Sequence, residues 1–225
     1  MTQAVLKVWR ALSAAILLAA LGACATPQAD RLLQDRGSLP PQAQVWDVPF
    51  FSQERFYCGP ASMAMVLAWS GVAVTQERVA LAVYTPGREG SLPSDMAAAP
   101  RRYGRQAIPV TTLANLLAEL AAGHPVIVFQ NLGLGWLPQL HFAVATGYDL
   151  ERGEIILHSA TIRDHRTSLT RFEHTWRRGN FWGLAVLPPG HLPARGDPLD
   201  VLRAAAAFER VHRYGEAAET YAAAL

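Results

Sequence analysis

Residues 52–62 read Ser52-Gln53-Glu54-Arg55-Phe56-Tyr57-Cys58-Gly59-Pro60-Ala61-Ser62. A cysteine stands here directly before a helix signal. Pro60 suits a first helical turn, Ala61, Ala64, Met65 and Ala68 recur at helical spacing, and Gly71 stops the run after Ser70. A helix N-terminus carries roughly half a positive charge, which favours a thiolate and lowers a cysteine pKa. A thiolate is the nucleophile that acyl transfer needs, and the free N–H groups of the same turn can receive an oxyanion. Gln53, upstream of the cysteine, can supply a side-chain N–H to that hole. The competing readings are an inert buried cysteine and a solvated loop glutamine.

Such a nucleophile needs a base. The histidines are His124, His141, His158, His165, His174, His191 and His212. His124 lies in a turn between Gly123 and Pro125, and His165, His174, His191 and His212 lie in polar or linker surroundings. His141 opens the strongly apolar run HFAVATGY (141–148). A strand mouth is where a rigid sheet can present an imidazole to a helix end, although most lone strand histidines are only surface or satisfied core groups.

Working outward, VWDVPFF (45–51) alternates weakly and contains Pro49, so it reads as an edge strand. TQERVALAVY (75–84) reads as a helix capped by Thr75, and a short helix is expected near Ser94 to Ala99. Thr111 or Thr112 caps a helix whose apolar face is Leu113, Leu116, Leu117 and Leu120, ended by Gly123. A strand VIVFQ follows Pro125, and a loop follows over 131–140. HFAVATGY and EIILHS (154–159) flank a turn and predict a hairpin, and FWGLAVL (181–187) is a third strong strand. Helices first and an antiparallel sheet after them indicate an α+β fold.

The pattern Q-x-x-x-x-C-G-P-A-S, followed by H-F-A-V-A-T-G-Y-D, resembles the bacteriocin-processing cysteine peptidases, cysteine peptidase family 39, over about residues 45–187. The resemblance implies a papain-like α+β fold, with Gln53 as oxyanion donor, Cys58 as nucleophile and His141 as general base and acid. The family places an Asp or Asn on the strand after the histidine hairpin. Here that position falls at Ser159, or at His158 if the register shifts by one. Ser159 can hydrogen-bond an imidazole but brings no charge. Asp164 is a substitute from a nearby loop, and Asp149 lies at the hairpin turn.

The ends of the chain read differently. Lys7 and Arg10 precede an apolar run, Ala11 to Ala20, broken only by Ser13 and ending in Leu21-Gly22-Ala23-Cys24. That run is short for a membrane span of ~20 residues and has the length of a signal-peptide core. The small residues before Cys24 resemble a bacterial lipobox, which implies lipidation of Cys24, an exported protein and a membrane partner through the lipid. Ala25, rather than Asp, then points to the periplasmic face of the outer membrane, without excluding the inner one. With Cys24 lipidated, Cys58 is the only thiol left, and a leftover thiol in an exported protein suggests reactivity. Residues 25–44 read as a polar tether, 45–188 as the peptidase domain and 189–198 as a Pro-rich linker. Residues 199–225 read as a helix pair whose spelling resembles one tetratricopeptide unit, a candidate surface for a protein partner.

Composition closes off other classes. Hydrophobic residues make up 51% and charged residues 17%, which excludes disorder for most of the chain. The net charge is only +2 with no basic stripe, which speaks against nucleic acid. No cofactor or metal is implied. The expected function is a lipid-anchored cysteine peptidase acting on peptide or protein substrates. A cell-wall peptide amidase or endopeptidase is a second reading, and a degenerate peptide-binding lipoprotein a third. No nucleotide-binding loop of the G-x-x-x-x-G-K type or transmembrane bundle accompanies the motif, so the leader-peptide substrate of transporter-linked relatives is not carried over.

Overall fold

In the computed structural model, which describes residues 26–53 and 56–225, helix α1 (Pro27–Gln34) and strand β1 (Gln42–Gln44) lead into α2 (Cys58–Trp69) and α3 (Gln76–Val83). A small hairpin, β2 (Tyr84–Thr85) and β3 (Gly90–Ser91), comes next, then α4 (Pro93–Ala98), β4 (Gln106–Pro109) and α5 (Leu113–Ala121). The sheet continues with β5 (Val126–Asn131), β6 (Leu140–Asp149), β7 (Glu154–Ser159) and β8 (Ile162–Ser168). Helix α6 (Leu169–Arg177), strand β9 (Gly183–Leu187) and the helix pair α7 (Pro198–Glu209) and α8 (Tyr214–Ala223) complete the order. The architecture is α+β, as the element order implied. The signal-like segment and Cys24 lie outside the described residues.

The main sheet is antiparallel in the order β4-β9-β5-β6-β7-β8. Strand β6 changes partner along one edge. Its first half, Leu140–Ala145, pairs with β5, and its second half, Gly147–Asp149, pairs with β1. A Cβ at Gly147 would collide with the Ala43 carbonyl, so only glycine lets β1 lie there. Helix α2 packs on this sheet and is buried on every side from Gly59 to Leu67, not on one face as the spacing suggested. A helix apolar all round belongs inside a fold, and here α3 covers it from outside.

The predicted caps hold at Thr75, which accepts from the Arg78 N–H at 3.3 Å, and at Thr112, which accepts from Asn115 at 3.2 Å. Three expectations need correction. Of the expected tether, residues 26–44 are not free, because α1 and β1 lie there and Ala29 and Leu39 are buried. The reason is a buried carboxylate: Glu173 of α6 accepts the Gln28 and Ala29 N–H groups at 3.2 and 2.6 Å, satisfying two donors that a helix start leaves unpaired. The domain therefore begins before residue 45. The edge strand predicted at 45–51 is displaced to Gln42–Gln44, and after the Val45 N–H meets the Thr146 carbonyl at 2.7 Å the chain turns away. The Pro-rich linker, finally, is docked. Glu119 of α5, fully buried, accepts from Ala194 N–H at 2.8 Å and Arg195 N–H at 3.4 Å, and pairs with His124 Nδ1 at 2.7 Å.

Glu119 thus holds the later part of the linker, at residues 194 and 195, while Gln106 Nε2 donates to the Pro188 and His191 carbonyls at its start. Replacing Glu119 by Ala leaves two backbone donors without their acceptor and strands His124, so Glu119→Ala should lower unfolding free energy by about 2–4 kcal/mol. Denaturant unfolding of the full chain measures this, and a loss below about 0.5 kcal/mol would contradict the assignment.

Candidate active site

Cys58 is the first residue of α2, and its thiol is free among the described residues. The helix end is pressed onto β6. The backbone N–H of Phe142, next to His141, points at the sulfur together with those of Gly59 and Cys58 itself. Gly59 lets the β2–β3 flap close on the same turn. A Cβ at residue 59 would run into the side chain of Ser91 on β3, so the helix start and the β2–β3 flap close on each other only because glycine is there. Tyr57 stacks on Tyr84 with ring centroids 5.2 Å apart, holding the flap from its other end. Phe56, two residues before the sulfur, sits at φ +68°, a left-handed conformation that costs a non-glycine residue of order 1–3 kcal/mol.

His141 stands in the part of β6 that runs past its ladder with β7. Its Nε2 is 2.9 Å from Ser159 Oγ. The sheet register explains why Ser159, and not His158, makes this contact. Val144 pairs with His158, so the next step sets Ser159 opposite Ala143, on the face that carries His141. His158 faces the other way. It is buried, with Nε2 3.3 Å from the Val48 carbonyl, Nδ1 accepting the Asp164 N–H at 3.3 Å, and the Phe50 ring edge-on. Asp164 serves His158, with its carboxylate 3.6 Å from Nδ1. Asp149 accepts from the Arg152 N–H in the hairpin turn, roughly 27 Å along β6 from His141 at ~3.4 Å per residue. Of the open choices for a third residue, geometry joins only Ser159 to His141.

Gln53 completes the set. Its backbone N–H is tied to the Ala160 carbonyl at 3.1 Å, beside Ser159. Its side-chain Nε2 is buried and has no partner among the described residues. Gln53, Cys58 and His141 line one cleft of about 730 Å³, a size suited to a ligand or a stretch of peptide. The flap residues Arg88, Glu89 and Ser91 form another wall, and Ser91 Oγ is a second buried atom without a partner. These flap residues carried no sequence signal, since a short turn brings them to the cleft without any motif spacing.

The electrostatics differ from the expected thiolate. Burial pushes the Cys58 thiol above its ordinary value, and the N–H groups of Phe142, Gly59 and Cys58 only partly oppose it. Burial also pulls His141 down to about 4. Both shifts favour uncharged forms, so the resting pair at neutral pH is a thiol beside a neutral imidazole. The helix end does act on the sulfur, but desolvation outweighs it.

Residues 45–181 match the model of the Peptidase_C39 like family, more than half of the chain. The chain belongs to that family. Among solved structures, a C39-like peptidase from Bacillus anthracis aligns with a TM-score of 0.56 at 18% identity, over 66% of this chain and 98% of that one. The peptidase domain of Streptococcus ComA, a bi-functional ABC transporter, aligns with a TM-score of 0.50 at 18% identity, over 62% and 96%. A double glycine motif protease from an AMS/PCAT transporter aligns at 0.48 and 22% identity, over 65% and 94%. No curated protein matches the chain. At these identities the likeness to solved structures establishes the fold, the papain-like α+β body of C39 peptidases.

A histidine whose pKa is lowered by folding binds fewer protons folded than unfolded near pH 5–6. The stability linked to neutral His141 is therefore complete above about 6.5, the unfolded value, and is lost as pH falls toward 4. Histidine-selective NMR should show His141 uncharged at pH 6 and titrating near 4. A midpoint at 6.5 or above would contradict the burial argument.

Proposed function

We propose that this C39-family protein is a cysteine peptidase in which Cys58 is the nucleophile and His141 the general base and acid. The observation that carries the reading is the buried, unpartnered amide of Gln53 in the same cleft as Cys58 and the Ser159-bonded His141. A buried donor without an acceptor is costly, and a carbonyl oxygen turning into an oxyanion is the partner it lacks.

The chemistry follows from the neutral resting pair. Nε2–H of His141 donates to Ser159 Oγ, which leaves Nδ1 unprotonated as the base. As the sulfur attacks the scissile carbonyl carbon, Nδ1 takes the thiol proton. Proton transfer is thus coupled to attack, because a free thiolate is disfavoured in the buried site. Gln53 Nε2–H and the Cys58 N–H hold the oxyanion. The C–N bond breaks as His141 returns the proton to the leaving amine, giving a thioester. Water then gives a proton to Nδ1 as it attacks the thioester, and the proton returns to sulfur as the acid product leaves. Ser159 keeps the ring in place and supplies no charge, so it stabilises the imidazolium less than a carboxylate would.

Lipid attachment at Cys24 is part of the same proposal. It would hold the peptidase body at a membrane surface on the periplasmic side, two residues before the first described residue, Thr26. The substrate class is peptide, and the flap charges Arg88 and Glu89 face whatever enters the cleft.

Cleavage of a fluorogenic peptide library by the full chain tests the reading. Cys58→Ala should abolish turnover, and Gln53→Ala should lower kcat about 10²–10³-fold, the usual loss for one oxyanion donor. The acid limb of kcat/KM should fall near pH 4, where the free base His141 is lost. Cleavage by Cys58→Ala at the parental rate would overturn the proposal.

A further inference from the structure

On the side of the molecule where α7 meets the body, a cavity of about 180 Å³ is lined by Arg101, Arg105, Arg203, Arg210 and a single carboxylate, Asp200. Asp200 is already committed, since it accepts from Arg203 at 2.8 Å. Arg105 spends its N–H groups on neutral acceptors, the Ser70 carbonyl and hydroxyl and the Gly104 carbonyl, and the Glu216 carboxylate acts on its charge from outside the cavity. Arg101 and Arg210 have no carboxylate partner among the described residues. The Nε of Arg101 is buried with no acceptor. Burial, then the charges of Arg210 and Arg102, pull Arg101 below the usual guanidinium value. Two guanidinium groups, Arg101 and Arg210, thus face a small hollow without a carboxylate partner among the described residues, beside two more arginines that already have one.

We propose that this cavity is a binding site for a small oxyanion of the phosphoryl class, bridging the body to the C-terminal helix pair. Arg101 comes from the short 3-10 segment Pro100–Tyr103 of the body, Arg203 from α7 and Arg210 from the residue that caps its C-terminus. An anion between them turns mutual repulsion into a shared set of charge-assisted hydrogen bonds. The cavity is smaller than the ~300–1,000 Å³ of clefts that take drug-sized ligands, so the group inside is a single phosphoryl head and not a nucleotide. The site lies apart from the Cys58 cleft and uses none of its residues, so it does not rest on the peptidase reading.

Thermal unfolding of the full chain in sodium phosphate against sodium chloride of equal ionic strength tests this. Phosphate stabilises many proteins without a site, so the quantity read is the part of the Tm increment that Arg101→Gln or Arg210→Gln removes. At about a hundredfold excess over Kd the site-dependent increment should be about 5–10 °C. Both variants should lose it while unfolding in chloride at or above the parental temperature, because repulsion is relieved. A parallel arm uses dihexanoyl phosphatidic acid, a water-soluble phospholipid. A larger variant-sensitive increment there assigns a lipid head group, and an equal or smaller one assigns the free ion. Equal increments in the parent and both variants, with phosphate and with the phospholipid, would overturn the proposal.

Discussion

The structure turns on one close approach: the first turn of α2 set down on strand β6 beside residue 142. That contact brings the Cys58 sulfur to the backbone N–H next to His141, and the lack of a side chain at residue 59 lets the β2–β3 flap close over the same turn. Everything else in the site is arranged around it. The β6 strand outruns β7 just where the imidazole must stand, and the end of β7 supplies Ser159 at the diagonal position. The flap and the Gln53 segment then close the cleft from two sides. Burial is the consequence, and burial sets the protonation states.

Those protonation states change what kind of thiol enzyme this would be. A helix N-terminus near a sulfur is often enough to argue for a standing thiolate. Here the same helix end is largely desolvated, and no carboxylate among the described residues is bonded to the histidine. An ion pair in low dielectric needs extra hydrogen bonds to offset desolvation. The serine at position 159 cannot provide a compensating charge, so the neutral pair is the consistent resting state.

Much of this was legible in the residues. The Cys58 block and the strand-opening His141 could be paired because each carries a local signature, a helix start and a strong strand. The α2 helix, the α5 helix with its Thr112 cap and the β6–β7 hairpin were readable from spacing and turn chemistry for the same reason. Three elements were not. Strand β8, IRDHRTS, is a charged, mostly exposed edge with no apolar alternation to read. Helix α6 and strand β4 are short, and tertiary packing decides them. The misreading of residues 25–44 has the same origin. Polarity suggested a tether, but the partners that fix α1 are Glu173 and Leu113, more than eighty residues away in the chain. No local pattern announces a buried carboxylate that serves as a remote helix cap. Nor could the register-determined choice among Ser159, His158 and Asp164 be made before the β6–β7 ladder was known.

A protonated Cys58 thiol and a neutral His141 in one cleft are what the rest of the site depends on. The rate of iodoacetamide alkylation at Cys58, mapped by mass spectrometry of the full chain from pH 5 to pH 10, tests this pairing most directly. Labelling should be slow through neutrality, with a rate still climbing above about pH 9, past the ordinary thiol range. A rate that has already levelled off by pH 7 would show a standing thiolate and contradict it.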